Sequence, residues 1–366
     1  MRRSPRRTCV SPGPVPERKT VHLPMTISEF DSEVFGRIAA LIGSAATVAV
    51  SGHTDPDGDA LGSVLALTAI IEAKWPRTRV QPLLANDRPV VASYRFLPGV
   101  ERFVPARRYH GTPDLFISVD TPMPGRLKDA EAVFKRARTT AAFDHHPTME
   151  AFAQVNYLRA SAASVGDVVY DFMTYLGVEP TPAIATCILT AVLTDTGRFQ
   201  YQNTDAHALR AAAAMVEAGA SPAEVSENVY MSDSMAALKL REIALGRLAT
   251  DPSGTVSYSY VTQEDLKRVG ATAEDCDGLI DVPRCLRGVG ACLLLREQKD
   301  GTVRGNVRSK APWVDVSAVA AKFGGGGHRA AAGLTFKGPM ERALSEVVDA
   351  LVAQVAVDAA SQGEVQ

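Results

Sequence analysis

The chain has 366 residues and a formal net charge of −2, and hydrophobic residues make up 46% of it against 22% charged residues. These values are typical of a globular protein, and the length predicts two domains rather than one. No stretch of about 18 residues is both apolar and uncharged, so no transmembrane helix is predicted. The five cysteines show no CxxC spacing and no disulfide framework, which favours a reduced, cytoplasmic protein.

Positive charge is concentrated at the amino terminus. Residues 1–24 contain six Arg or Lys residues and one acidic residue, Glu17, a net charge of +5 that leaves −7 for the rest of the chain. An acidic body is poorly suited to holding long duplex nucleic acid through its phosphates. The basic tail of residues 1–25 lacks the apolar segment of a signal peptide. Two interpretations remain open, a disordered tail and a chain whose true start is Met25.

Strands alternate with helices over residues 26–220, which predicts an α/β domain with a doubly wound, mainly parallel sheet. Apolar strands are predicted at 47–52, 114–120 and 139–144, and helices at 59–75, 163–177, 182–197 and 204–219. A helical linker is predicted over residues 221–250.

The pattern changes after residue 250. Strands are predicted at 256–262, 290–297 and 302–310, and helices at 314–323 and 340–357. These elements predict a second, smaller α+β domain over residues 251–366.

Acidic residues and histidines lie at the ends of the predicted elements of the first domain. HTDPDGD (53–59) follows the first strand, Asp120 ends the second, DHH (144–146) ends the third, and Asp195 lies near a helix end. Because ligands of parallel α/β sheets bind outside the carboxyl ends of the strands, these residues predict a single site. Each one alone is more often a helix cap or a turn residue, but caps require none of the histidines.

The chemistry of these side chains indicates divalent cations. Carboxylates and imidazoles without thiolates suit Mn²⁺ or Mg²⁺ rather than structural zinc. Converging carboxylates would repel one another strongly without cations. The number of ligands exceeds what one ion needs if it also binds water and substrate, so two ions that share a carboxylate are predicted. Such a pair activates water and stabilises charge on a phosphoryl group, which predicts phosphoester hydrolysis.

A second signal lies in the carboxyl-terminal half, where RSK (308–310) precedes the glycine run FGGGGH (323–328). Consecutive glycines leave backbone N–H groups accessible and tolerate positive φ, which favours an anion-binding nest. Arg308, Lys310 and His328 would add groups that hold a phosphate. The alternative interpretation is a flexible glycine hinge.

Taken in this order, the motifs resemble the DHH phosphoesterases, and within them the bifunctional oligoribonuclease and 3′-phosphoadenosine 5′-phosphate (pAp) phosphatase branch, also called nanoRNases. The resemblance runs from about residue 28 to about residue 350 and includes H-x₃-D-x-D, DHH, SAASVGDVVYDF, LTDTGRFQYQNT and VRSKAPWVDVSAVAAKFGGGGH. The GGGGH motif argues against the inorganic pyrophosphatase branch. The resemblance implies a metal-binding DHH domain, a DHH-associated substrate-binding domain, and an active site in the cleft between them.

The resemblance also implies two Mn²⁺ ions, with Mg²⁺ or Co²⁺ as substitutes. The residues that match metal ligands are His53 and Asp57 for one ion, Asp59, His145 and Asp195 for the other, and Asp120 as the bridge. The residues that match the catalytic pair are His146, which would face the scissile phosphate, and Asp120, while Asp144 matches a carboxylate that orients a histidine. The residues that match the substrate-binding surface are Arg126, Arg308, Ser309, Lys310, Gly325, Gly326, Gly327 and His328.

The implied activity is hydrolysis of short oligoribonucleotides to mononucleotides and of pAp to AMP. The expected partners are short single-stranded RNA or DNA, pAp and pApA, with no long duplex and no membrane, and a homodimer is left open. Two alternatives remain, a phosphodiesterase acting on cyclic di-AMP or pApA at the same site and a catalytically silent nucleotide sensor. The polarity of degradation is open as well.

Several further polar residues are not matched to a ligand or substrate position. Asp55 is off the motif's spacing and is expected to serve its loop. Arg198, within TDTGRF, is expected to pack or to form a local ion pair, with phosphate contact as the alternative. His22, His110 and His207 are expected to be surface or capping residues.

Overall fold

The computed structural model describes residues 28–363, so the basic tail and His22 lie outside the described residues. Two sheets of six strands each organise this range, and each has its own hydrophobic core. None of the described helices has the length and apolar character needed to span a membrane.

The first sheet is parallel throughout. Its strands are β1 (Thr47–Ser51), β2 (Arg79–Leu84), β3 (Val104–Pro105), β4 (Leu115–Val119), β5 (Thr139–Asp144) and β6 (Val155–Leu158). They lie in the order β3-β2-β1-β4-β5-β6. The order reverses between β1 and β4, and this switch point opens a crevice at the carboxyl ends of the strands. The predicted parallel α/β architecture is confirmed.

Helices cover both faces of this sheet. They are α1 (Glu29–Ser44), α2 (Gly58–Lys74), α3 (Asp129–Arg136), α4 (Val165–Tyr175), α5 (Pro182–Asp195) and α6 (Ala206–Glu217). Val48 and Val50 of β1 join the core formed with α1, α2, α4, α5 and α6. Ala49 between them faces the opposite core, together with Ala130 and Val133 of α3. Successive side chains of a strand point to opposite faces, so a strand covered on both faces is apolar throughout.

The second sheet is mixed. Its strands are β7 (Ala249–Thr250), β8 (Val256–Val261), β9 (Ala291–Glu297), β10 (Val303–Ser309), β11 (Gly326–His328) and β12 (Ala331–Phe336), in the order β11-β12-β10-β9-β8-β7. The pair β8–β9 is parallel and the other pairs are antiparallel. The helices of this part are α9 (Gln263–Val269), α10 (Asp281–Arg284), α11 (Val316–Lys322) and α12 (Met340–Gly363). A mixed sheet with helices confirms the predicted α+β domain.

The stretch between the two sheets contains two helices, α7 (Pro222–Tyr230) and α8 (Met235–Gly246). The sequence predicts one long helical stretch here. Ser234 interrupts it because its side chain accepts a hydrogen bond from the Ala237 N–H, which caps a new helix. We propose residues 221–250 as the linker between domains of residues 26–220 and 251–366.

Candidate metal centre

Most of the predicted ligands lie at or after the carboxyl ends of three neighbouring strands, and Asp195 is the last residue of α5. The loop after β1 carries His53 and leads through Asp57, which caps α2 by accepting a hydrogen bond from the Ala60 N–H, to Asp59 in the first turn of α2. Asp120 directly follows β4, and Asp144 is the last residue of β5. Two sets of ligand atoms result, which we call the first cluster (His53, Asp57 and Asp120) and the second cluster (Asp59, His145 and Asp195).

In the first cluster a backbone carbonyl fixes the orientation of the histidine. His53 Nδ1 lies 2.8 Å from the Thr54 carbonyl oxygen, so Nδ1 carries the proton and Nε2 faces the carboxylates. His53 Nε2 lies 3.3 Å from Asp120 Oδ2 and 3.8 Å from Asp57 Oδ1. Burial lowers the pKa of His53, but Asp120 and Asp57 outweigh it and raise that pKa well above its usual value.

The second cluster repeats this arrangement. His145 Nδ1 lies 3.1 Å from the Ala162 carbonyl oxygen, which directs Nε2 toward the carboxylates. His145 Nε2 lies 3.6 Å from Asp195 Oδ2 and 4.0 Å from Asp59 Oδ2.

Asp120 lies between the two clusters. Its Oδ2 faces His53, while its Oδ1 lies 3.7 Å from His145 Nε2 and 3.6 Å from His146 Nδ1. The residue is 2% exposed and has a φ of +52°, a left-handed conformation that is uncommon outside glycine. Strained backbone of this kind is found at functional sites, where the surrounding structure enforces it.

Asp144 orients His146. Its Oδ1 accepts hydrogen bonds from the backbone N–H groups of His145 and His146 and lies 2.7 Å from His146 Nδ1. The ring of His328 from the second domain stacks on His146 with 4.2 Å between ring centroids and 23° between planes. Burial, then the neighbouring His146 and His145, lower the pKa of His328 to about 4, so His328 is a neutral hydrogen-bonding group at pH 7.

The charge of the site fits divalent cations. Burial and the carboxylates of Asp120 and Asp195 raise the pKa of Asp59 well above its usual value. Within the described residues no Lys or Arg forms an ion pair with any of these three carboxylates, whose charged neighbours within 4 Å are histidines. Carboxylate and imidazole groups that converge without a Lys or Arg partner are consistent with a metal site.

On the second domain, Arg308 and His328 share one face of the sheet. Each lies directly opposite Ala331 of β12, from β10 and β11 respectively, and opposite residues of antiparallel strands point to the same face. The Arg308 guanidinium donates to the carbonyl oxygen of Val307, and within the described range no carboxylate lies within 4 Å of it. A partly buried guanidinium without a carboxylate partner favours an anion.

Comparisons with known proteins agree with this geometry. Residues 47–193 match the DHH family, N-terminal domain, and residues 253–356 match the DHHA1 domain. A bifunctional oligoribonuclease and PAP phosphatase NrnA of Thermus thermophilus is 30% identical over 306 residues, which cover 82% of this chain and 88% of the relative. This chain belongs to the DHH phosphoesterases. It is thus a DHH/DHHA1 phosphoesterase related to NrnA.

Solved structures show the same fold. An exopolyphosphatase-related protein from Bacteroides fragilis superimposes with a TM-score of 0.82 at 22% identity and covers 89% of this chain and 97% of its own. The structure of RecJ in complex with Mn²⁺ from Thermus thermophilus gives a TM-score of 0.53 at 14% identity, over 92% of this chain and 56% of that one.

Three predicted substrate residues make contacts within their own domains. Lys310 Nζ donates to the Leu286 carbonyl oxygen, and Ser309 Oγ donates to the Ala311 carbonyl oxygen at 2.5 Å. Arg126 lies in the DHH domain, with its Nη2 3.2 Å from His53 Nδ1.

The glycine run forms an edge strand, which differs from the predicted open nest and from a hinge. Strand β11 pairs antiparallel with β12. A Cβ on Gly325 would lie 2.1 Å from the Gly333 carbonyl oxygen, and a Cβ on Gly327 would lie 2.5 Å from the Ala331 carbonyl oxygen. The close approach of two backbones therefore explains these glycines.

One residue pair that joins the domains was given no role in the sequence analysis. Arg284 of the DHHA1 domain lies 4.1 Å from the ring centroid of Tyr201 in the DHH domain and donates to its hydroxyl at 2.9 Å. Arg198 packs on Tyr230, with its Cζ 4.6 Å from the ring centroid, which agrees with the predicted packing role. Asp55 Oδ1 lies 2.8 Å from Arg88 Nη1, which agrees with the predicted role in its loop.

The predicted surface or capping role of His207 is wrong. His207 Nδ1 lies 2.6 Å from Asp167 Oδ1, and its Nε2 lies 3.0 Å from Asp171 Oδ1. Both aspartates are almost fully buried. The hydrogen bond to Asp167 has the larger effect and that to Asp171 the smaller, and together they raise the pKa of His207 to about 10. His207 is therefore a charged partner of two buried carboxylates at pH 7.

The ion pairs of His207 make folding stability depend on pH. The folded protein keeps the His207 proton up to about pH 10, whereas the unfolded chain loses it near pH 6.5, so stability falls as pH rises between these values. We expect the free energy of unfolding of the wild type to fall by about 2 kcal/mol more than that of His207→Gln between pH 7 and 10. Urea denaturation followed by circular dichroism in EDTA measures both. Equal pH dependence in the two proteins would contradict the ion pairs.

Proposed function

We propose that this chain hydrolyses short oligoribonucleotides to mononucleotides and pAp to AMP, with two Mn²⁺ ions as cofactors and Mg²⁺ or Co²⁺ as substitutes. The observation that carries the proposal is the position of Asp120, whose two oxygens face two separate His/Asp clusters under a histidine of the DHHA1 domain. The Thermus thermophilus relative is named for the two activities, and the RecJ structure is that of a complex with Mn²⁺.

The first cluster would hold one ion and the second cluster the other, with Asp120 shared between them. Two metal ions held this way would lower the pKa of bound water and neutralise charge on a phosphoryl group. The chain contributes the rigidity of the ligands. Backbone carbonyls fix the tautomer and direction of both His53 and His145, which keeps each Nε2 available.

His146 is the proposed proton donor. Because Asp144 accepts from Nδ1, His146 Nε2 is left for the substrate. A histidine in this position can protonate the leaving oxygen of a phosphoester. Arg126, beside His53, is proposed to contact the substrate phosphate from the DHH side.

The DHHA1 domain is proposed to hold the distal part of the substrate. Arg308 supplies a guanidinium without a carboxylate partner among the described residues, and His328 supplies a neutral imidazole directly over His146. For Ser309, Lys310 and Gly325–Gly327 the proposed substrate contact rests on the motif resemblance alone. The net charge of −7 outside residues 1–24 disfavours long duplex, so short single-stranded RNA or DNA, pAp and pApA are the proposed substrates.

A substrate comparison tests the proposal. We expect the purified protein with Mn²⁺ to release mononucleotides from pApA and phosphate from pAp, with kcat/KM far above that for a long RNA. A kcat/KM for cyclic di-AMP above those for pAp and pApA would favour the phosphodiesterase alternative. Binding of pApA without turnover in Mn²⁺, Mg²⁺ or Co²⁺ would contradict hydrolysis and favour the nucleotide sensor.

Mn²⁺ is expected to stabilise the fold. Ligands that bind only the folded state stabilise it by about 2.7 kcal/mol per site at a hundred times Kd, and removing the repulsion between buried carboxylates acts in the same direction. We expect Tm to rise by about 5 °C or more when Mn²⁺ is added to EDTA-treated protein. Differential scanning calorimetry checks this, with Asp120→Asn as the variant that should respond less. Equal Tm values with and without Mn²⁺ would contradict the metal site.

A further inference from the structure

The second cluster is supported by a segment that the proposed reaction does not itself use. Asp59 accepts hydrogen bonds from the Val165 N–H at 2.7 Å and from the Gly166 N–H at 2.8 Å, one on each oxygen. Both amides belong to the first turn of α4, whose unpaired N–H groups favour an anion. Ser63 Oγ adds a third donor at 3.0 Å. The start of α4 thus fixes the orientation of the Asp59 carboxylate.

The same segment reaches the other two members of the second cluster. His145 Nδ1 lies 3.1 Å from the Ala162 carbonyl oxygen. Asn203 Nδ2 donates to the Ala163 carbonyl oxygen at 2.8 Å and to the Asp195 carbonyl oxygen at 3.1 Å, so it ties the end of α5 to this segment. Residues 162–166 therefore position every member of the second cluster.

Four charged residues hold this segment in place, and we call them the outer clamp. Asp167 in the first turn of α4 binds His207 through Oδ1 and Arg159 through Oδ2, at 2.6 Å and 3.1 Å. Asp171, one turn later, binds the same two cations, His207 at 3.0 Å and Arg159 through its other oxygen. Removing one cation leaves two buried carboxylates with a single partner, which is strongly destabilising locally.

The first cluster has different support. His53 is held by the Thr54 carbonyl oxygen and contacts Arg126, and Asp57 caps α2 through Ala60. Among the described residues none of the side chains of His53, Asp57 and Asp120 forms a hydrogen bond to residues 162–166. A shift of α4 would therefore move the ligands of one cluster and leave those of the other.

We infer that His207 and Asn203 are positioning residues that set the affinity of the ion held by the second cluster and leave the affinity at the first cluster unchanged. His207 acts through Asp167 and α4, and Asn203 acts through Ala163 and Asp195. The inference rests on the proposed pair of ions and adds an asymmetry between them.

Direct metal binding tests the inference without any assay of activity. Mn²⁺ is titrated into metal-free protein and followed by isothermal calorimetry, with electron paramagnetic resonance to count free Mn²⁺. We expect two ions in the wild type, and in His207→Gln a Kd raised about 10–100-fold for one ion and unchanged within about twofold for the other. His110→Gln is the matched control, since His110 is exposed, and it should bind like the wild type.

Asn203→Ala provides a second route that leaves the outer clamp intact. We expect the same selective loss of one ion, with Asn228→Ala on the exposed side of α7 as the matched control. If His207→Gln does not fold, the Mn²⁺ affinities of Asn203→Ala test the inference alone. A lower Tm with both Mn²⁺ affinities unchanged, or equal weakening of both ions, would overturn the inference. A wild type that binds fewer than two ions would instead overturn the proposed function.

Discussion

Asp120→Asn is expected to lower kcat by about 10⁴-fold or more while leaving the fold intact. Asp120 is the residue whose oxygens face both clusters. An amide has one acceptor oxygen and no charge, so one proposed ion loses a ligand and both lose the shared negative charge. Asparagine tolerates the positive φ of this position, which keeps the backbone of the loop unchanged. The rate is measured as AMP released from pApA at saturating Mn²⁺.

Asp55→Asn is a closely matched control for this variant. Asp55 also has a positive φ, +51°, and lies in the loop after β1, but it pairs with Arg88 and belongs to neither cluster. Its activity should stay within about threefold of the wild type, as is usual for an exposed ion pair. If Asp120→Asn kept more than about 1% of wild-type kcat, Asp120 would not be shared by two ions.

His146→Gln is expected to lower kcat on pApA by about 10²–10³-fold, since a general acid typically contributes that much. The loss should be much smaller on bis(p-nitrophenyl) phosphate, because its leaving group departs without a proton. The comparison of kcat for the two substrates in the two proteins measures the proton donation itself.

His110→Gln serves as the histidine control here, and it should act on both substrates like the wild type. Equal losses on pApA and on the p-nitrophenyl ester would contradict proton donation by His146. In that case the ring would act by stabilising charge on the phosphoryl group.

Strands β1, β4 and β5 were readable from the sequence, whereas β2, β3 and β6 were not. β1, β4 and β5 are buried on both faces, so each is a continuous apolar run, and the predicted bounds agree with the observed ones within one residue at each end. β2 begins at an exposed Arg79 and contains Pro82, β3 has two residues, and β6 has four. Strands of this composition carry too little periodicity to be distinguished from loops.

Helix α1 is absent from the predicted elements although its sequence carries a helical signal. Phe35, Ile38 and Ile42 are fully buried and recur at helical spacing, and Ser28 caps the helix by accepting a hydrogen bond from the Asp31 N–H. In the linker between the sheets the sequence predicts one helical stretch where the structure has two helices, because the helical pattern does not show the break at Ser234.

Motif order indicated which residues would meet, but it could not supply their supporting contacts. The hydrogen bonds of His207 join residues about 40 positions apart, and their pairing depends on how α4 packs against α6. The link from residues 162–166 to Asp59 spans more than 100 positions. The motif SAASVGD contains this segment and was the feature of the sequence that pointed to it. The glycine run shows a further limit, because glycine is equally compatible with a nest, a hinge and close strand packing.

The position of the metal ions tests the central claim most directly. Crystals of the protein grown with Mn²⁺ would be measured at the manganese absorption edge, where an anomalous difference map locates the metal alone. We expect two peaks, one at the first cluster and one at the second, with Asp120 contacting both. A single peak, or peaks away from these clusters, would contradict the two-ion site.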